Sequence, residues 1–113
     1  MSDKFLKNIQ YTQGIEFASL VDYQEGQVIS RTLSQGPNLS LTLFAFDKNE
    51  EISTHASSGD ALVQILDGQA RVTIGEHQYQ LKKGEAIVMP ANIPHALFAV
   101  ERFKMFLTVV FKN

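Results

Sequence analysis

The chain contains no cysteine, no tryptophan and only three prolines in 113 residues. Without cysteine there is neither a disulfide scaffold nor a thiolate metal site, which agrees with a reducing compartment. A dominant charge is also missing. Ten Lys and Arg stand against twelve Asp and Glu, for a net charge of −2. The basic residues are scattered, with Lys82-Lys83 as the one doublet, so no stripe is present to attract nucleic acid. No apolar run approaches the ~20 residues of a membrane span. The opening residues MSDKFLKNIQ lack the apolar stretch of a signal peptide. The expectation is a soluble cytoplasmic protein with no membrane partner.

Helical periodicity is nearly absent as well. Residues 3–9 suggest one or two turns, with Asp3 as N-cap and Phe5, Leu6 and Ile9 on one side. Beyond them, short runs rich in Val, Ile, Leu, Phe and Thr alternate with Gly, Pro, Asn and Asp. The predicted strands are Ser19–Tyr23, Gln27–Leu33, Ser40–Phe46, Ala61–Leu66, Gln69–Ile74, Gln78–Leu81, Ala86–Met89, His95–Ala99 and Phe103–Phe111. Pairs such as Asp67-Gly68, Gly75-Glu76 and Lys83-Gly84 supply turn chemistry between them. Short strands at regular spacing predict an all-β sandwich or closed barrel.

Several strands are apolar on both faces. Leu41, Leu43 and Ala45 oppose Phe44 and Phe46, and Phe103–Phe111 carries Phe106 and Val110 opposite Phe103, Met105, Leu107 and Val109. Such strands need cover on two sides. An opposing sheet with the N-terminal segment would provide it; so would a homodimer, which is the expectation.

Two segments stand out. One runs from Glu51 through His55, Ser57, Gly59, Asp60 and Ala61 to Gly68; the other runs from Gly84 through Pro90, Asn92 and Pro94 to His95. Gly84, Pro90 and His95 have the spacing of the second cupin motif, with Asn92 at the position usually held by Gly. Asn tolerates left-handed dihedrals better than other non-Gly residues. Counting back from Gly68, His55 falls at the first His of the first motif, Ser57 at the second His and Ala61 at the Glu. The chain therefore resembles small single-domain bacterial cupins over about residues 27–111. That resemblance implies a double-stranded β-helix, the RmlC-like jelly-roll barrel, with His55 and His95 facing each other inside it. Residues 1–18 would form a short helical or extended segment packing on the barrel, and residues 19–113 the barrel itself.

Relatives with the complete motif hold Zn, Ni, Fe or Mn through three His and one Glu. Here only His55 and His95 keep ligand positions, since Ala61 cannot coordinate and the Ser57 hydroxyl is a poor ligand. Glu51 and Asp60 are substitute acids in the right segment, although Asp60 has the wrong strand parity relative to Ala61. The two imidazoles thus belong either to a degenerate metal site or to a metal-free pocket in which they bond water or each other. Arg31 shares a face with Ile29 and Leu33 and either snorkels at an edge or anchors an anion in the pocket. Phe44, Phe46, Met89, Leu97 and Met105 are candidate apolar lining. Gln64 suits an inter-sheet or interface role, and His77 a solvated turn. The leading functional expectation is a small-molecule-binding barrel around His55 and His95, either of which would serve as general base if the protein is an enzyme. The alternative is a non-catalytic ligand-sensing module acting through a protein partner.

Overall fold

The computed structural model describes residues 4–112. Its strands are β1 (Val28–Gln35), β2 (Leu39–Phe46), β3 (Glu51–His55), β4 (Asp60–Ile74), β5 (His77–Lys82), β6 (Ala86–Met89) and β7 (His95–Val110). All pairings are antiparallel. The order is β1-β2-β7-β4-β5, with β3 added to β7 and β6 added to β4.

The two long strands make the barrel. Asp60–Ile65 of β4 pairs with the C-terminal half of β7, between β2 and β6, whereas Ala70–Ile74 pairs with its N-terminal half, between β3 and β5. Register shifts at Ile65/Asp67 and Gly68/Ala70 mark the crease between these halves. Bulges bend a strand and increase its twist without ending its ladder. Consequently Ala61–Leu66 and Gln69–Ile74, predicted as separate strands, are one, and so are His95–Ala99 and Phe103–Phe111. Asp67-Gly68 is a bulge within a strand and not a turn between strands.

Two other expectations are corrected, and one strand was missed. Ser19–Tyr23 is not a strand; a 3-10 turn occupies Phe17–Leu20. Asp3 lies outside the described residues, and residues 4–9 form no helix. Asn8 at φ 61° and Thr12 at φ 58° turn the chain in ways a right-handed helix does not permit. Strand β3 carries no apolar run, only Ile52 between Glu51 and Ser53, so composition gave it no signal.

The inner faces of both halves pack into one core. Phe46 and Phe103 are fully buried and stacked, with centroids 4.4 Å apart. Val63, Val72, Met89, Leu97 and Met105 join them. Each large buried side chain contributes roughly 1.5–3 kcal/mol relative to exposure.

A second apolar cluster lies on the outside of β1 and β2. There Leu33, Leu43 and Ala45 are buried beneath Ile9, Phe17, Leu20 and Val21. Phe17 meets Phe106 edge-on at 4.8 Å. Lys104 Nζ donates to the Ala18 carbonyl at 2.7 Å, and the Tyr23 hydroxyl donates to Asp67. Arg102 stacks 3.9 Å over the Tyr23 ring. The chain's own N-terminal segment thus covers much of the second apolar face. Leu39, Val88 and Val110, further along the outer face, remain 39%, 51% and 54% exposed.

Candidate functional site

His55 ends β3 and His95 begins β7, directly opposite each other in the ladder. The loops beside them are joined by main-chain bonds. Asn92 N–H donates to the Ser57 carbonyl at 2.7 Å, and Gly75 N–H to the Pro94 carbonyl at 2.8 Å. Asn92 stands at φ 67°, the left-handed conformation its place in the motif requires. The Asp60 carboxylate accepts from Ala91 N–H at 2.8 Å. These contacts fix where β7 starts and hence where its first side chain sits.

The imidazoles approach through their Nε2 atoms, 3.2 Å apart. Each Nδ1 is turned to a carbonyl two residues earlier, His55 to Ser53 at 3.0 Å and His95 to Ile93 at 3.2 Å. A carbonyl oxygen only accepts, so both contacts are hydrogen bonds in the tautomer that carries its proton on Nδ1. In that tautomer the neutral rings face each other through their Nε2 lone pairs, 3.2 Å apart. Such a pair is satisfied by a shared proton, a hydrogen-bond donor or a cation.

The two rings have different surroundings. His95 is 3% exposed, whereas His55 faces solvent. Burial lowers the His95 pKa below its ordinary value of 6.5, and charge on His55 lowers it further; the Ile93 carbonyl acts in the opposite direction. His95 is therefore the neutral, acceptor member of the pair near neutral pH.

The other candidate residues sit elsewhere. Arg31 lies on the outer face with Ile29, opposite Leu43, where its Nε donates to Asn8 O and its Nη1 to Leu20 O. It ties down the N-terminal segment and does not face the barrel interior. Phe44 and Met105 oppose each other on the inner face. Met105 has no exposed surface and fills the core, while Phe44 packs half-buried against it. Met89, Leu97 and Phe46 are likewise core. Ala61 is buried beside Met89 and Val109 in the ladder. Glu51 sits at the far end of β3, opposite Phe98. His77 and Gln64 are exposed.

Two imidazole nitrogens on one tetrahedral ion, each at about 2.0–2.1 Å, would lie about 3.3 Å apart, close to the 3.2 Å found here. The pair is thus suitably disposed as two ligands. Among the described residues no cluster of three or more His, Cys, Asp or Glu forms, and Asp60 is engaged with Ala91. The donor set falls short of the three protein ligands usual for catalytic zinc.

Asp60 and Asn92 were the loop-setting residues. Asn92 was readable from the motif; the role of Asp60 depends on a contact 31 positions away and left no local signal.

Comparison with known proteins places these features in context. The model of the family described as "Cupin domain" matches residues 42–111. A crystal structure of a conserved Streptococcus pyogenes protein of unknown function is 44% identical, with 97% of this chain and 96% of that one covered and a TM-score of 0.96. A cupin superfamily protein from Desulfitobacterium hafniense is 32% identical over 95% of this chain and 98% of its own, with a TM-score of 0.91. A cupin 2 conserved barrel domain protein from Leptotrichia buccalis is 45% identical over 82% of this chain and 45% of its own, with a TM-score of 0.81. An uncharacterised protein of Streptomyces coelicolor is 28% identical over 58 residues, 51% of this chain; the match spans 55% of that relative's length.

Proposed function

The chain belongs to the cupin family, and on that premise we propose that it binds a small molecule at the barrel mouth through His55 and His95. One observation carries the reading: the two Nε2 atoms face each other at 3.2 Å while both Nδ1 atoms are turned to carbonyls. A complementary ligand presents what lone pairs accept, a hydroxyl donor or a cation. Sugars and phenols qualify on the first count, and a weakly held Zn, Ni, Fe or Mn ion on the second. A bound divalent ion would supply Lewis-acid polarisation of a ligand oxygen. With two protein ligands, the residues present favour recognition over metal catalysis. His55 would meet the ligand from the solvent side, and His95 would hold its acceptor fixed from the buried side.

The test reads the imidazoles directly. Long-range 1H–15N spectra of the intact protein at pH 7.5 are expected to show Nδ1–H tautomers for both residues. Titration with a panel of sugars, phenols and organic acids, with and without Zn2+, is expected to shift His55 and His95 and to leave exposed His77 unmoved. Turnover of a hit would make the protein an enzyme; binding without turnover would make it a sensing module. Hits that leave both resonances in place would remove the site from the barrel mouth.

The uncovered outer-face residues Leu39, Val88 and Val110 support a second copy of this chain as partner. Sedimentation equilibrium is expected to give a dimer that Val88→Asp converts to monomer. A monomeric wild type would dismiss that partner.

A further inference from the structure

We infer that the cleft between residues 4–11 and β1 binds a small oxyanion, a carboxylate or a phosphate, through Arg31 and Lys4. Arg31 is half-buried on the outer barrel face, remote from the histidine pair. Its Nε donates to Asn8 O at 2.7 Å and its Nη1 to Leu20 O at 3.0 Å. Both acceptors are neutral carbonyls. They position the guanidinium without compensating its charge. Among the described residues the only ion pair is Lys48–Glu101, so Arg31 has no carboxylate partner there. A guanidinium offers five N–H donors, and those beyond the two used are unassigned among the described residues.

Two clefts meet at this side chain. The larger, of about 510 Å³, is also lined by Asp22, whose carboxylate opposes an anion. The smaller, of about 370 Å³, is lined by Lys4, Asn8, Ile9, Gln10, Tyr11 and Arg31: two cations and no acid. Lys4 Nζ lies 5.2 Å above the Tyr11 ring, an arrangement that holds the ammonium over the cleft wall. Electrostatics therefore selects the smaller cleft. A planar guanidinium fork suits a carboxylate or phosphate edge, and a lysine adds a point charge beside it. The bound oxyanion would bridge the N-terminal segment to β1, joining the two parts that Arg31 already connects.

NMR titration of the intact protein with inorganic phosphate, and separately with acetate, at constant ionic strength tests this. Saturable shifts are expected at the amides of residues 8–11 and at Arg31 Nε–H, with His55 and His95 unmoved. Tighter phosphate binding would assign a phosphoryl group to the natural ligand, and tighter acetate binding a carboxylate. Lys4→Gln, at an exposed position, is expected to weaken the preferred probe at least threefold without altering the rest of the spectrum. Arg31→Lys keeps the charge, loses the fork and should weaken it further. Shifts that rise linearly without saturation for both probes, or unchanged affinity in Lys4→Gln, would overturn the site.

Discussion

Gly68→Ala is expected to cost at least about 3 kcal/mol, a large share of the 5–15 kcal/mol that holds a typical domain together. Gly68 occupies φ +74°, and a Cβ built there would stand 1.8 Å from the Arg102 carbonyl oxygen and 2.9 Å from the Phe103 Cα. Both obstacles are main chain in β7, the strand that pairs with β2, β3 and β4, so relief requires moving the crease itself. Left-handed geometry alone costs a non-Gly residue about 1–2 kcal/mol. Gly26→Ala supplies the comparison: φ is +68°, but nothing lies within 4 Å of its Cβ. Its cost is expected to stay near about 1 kcal/mol, partly offset by reduced freedom of the unfolded chain. Urea denaturation of both variants measures the difference. Equal midpoints would mean that the crease yields and that the clash is not what enforces glycine.

On the proposed site, zinc affinity at the mouth is expected to fall by roughly tenfold or more, about 1.4 kcal/mol, when either His55 or His95 becomes alanine. Each substitution removes one of the two nitrogens that face each other across the mouth. The larger loss is expected for His95→Ala, because its acceptor is held by burial, whereas His55 is solvated and less restrained. Calorimetric titration of each variant, with circular dichroism to verify the fold, checks this; undiminished binding in both would place zinc elsewhere. Proton competition sets the pH dependence. A metal takes neutral imidazole, so affinity is present above the ordinary histidine pKa and is lost as pH falls below it. Burial keeps the His95 pKa low, so His95 remains available into more acidic solution than an ordinary histidine. Binding that strengthened on acidification would contradict this assignment.

Much of the candidate site's position in the fold was legible because motif spacing is a local property. His55, His95 and the left-handed Asn92 were placed by counting residues between Gly, Pro and His. Arg31 was harder. Its sharing a face with Ile29 and Leu33 was readable, yet β1 and β2 are apolar on both faces, so sequence did not say which face was inner. The N-terminal segment decided it by covering Leu33, Leu43 and Ala45 from outside. Met105 illustrates the same ambiguity: lining and filling a barrel demand identical residue types, and only burial separated them.

The sequence by itself determined an all-β chain, most strand positions and the two histidines, because strand propensity, turn residues and motif spacing act over a few neighbouring positions. Tertiary structure alone decided that β4 and β7 continue through their crease, that β3 exists, and that Arg31 faces outward. It also decided that the imidazoles meet through their Nε2 atoms. Each of these depends on partners distant in the chain: Gly68 on Arg102, His55 on His95, Arg31 on Asn8 and Leu20. A hydrogen bond or steric contact between such positions leaves no periodicity in the sequence, and folding is what brings it into being.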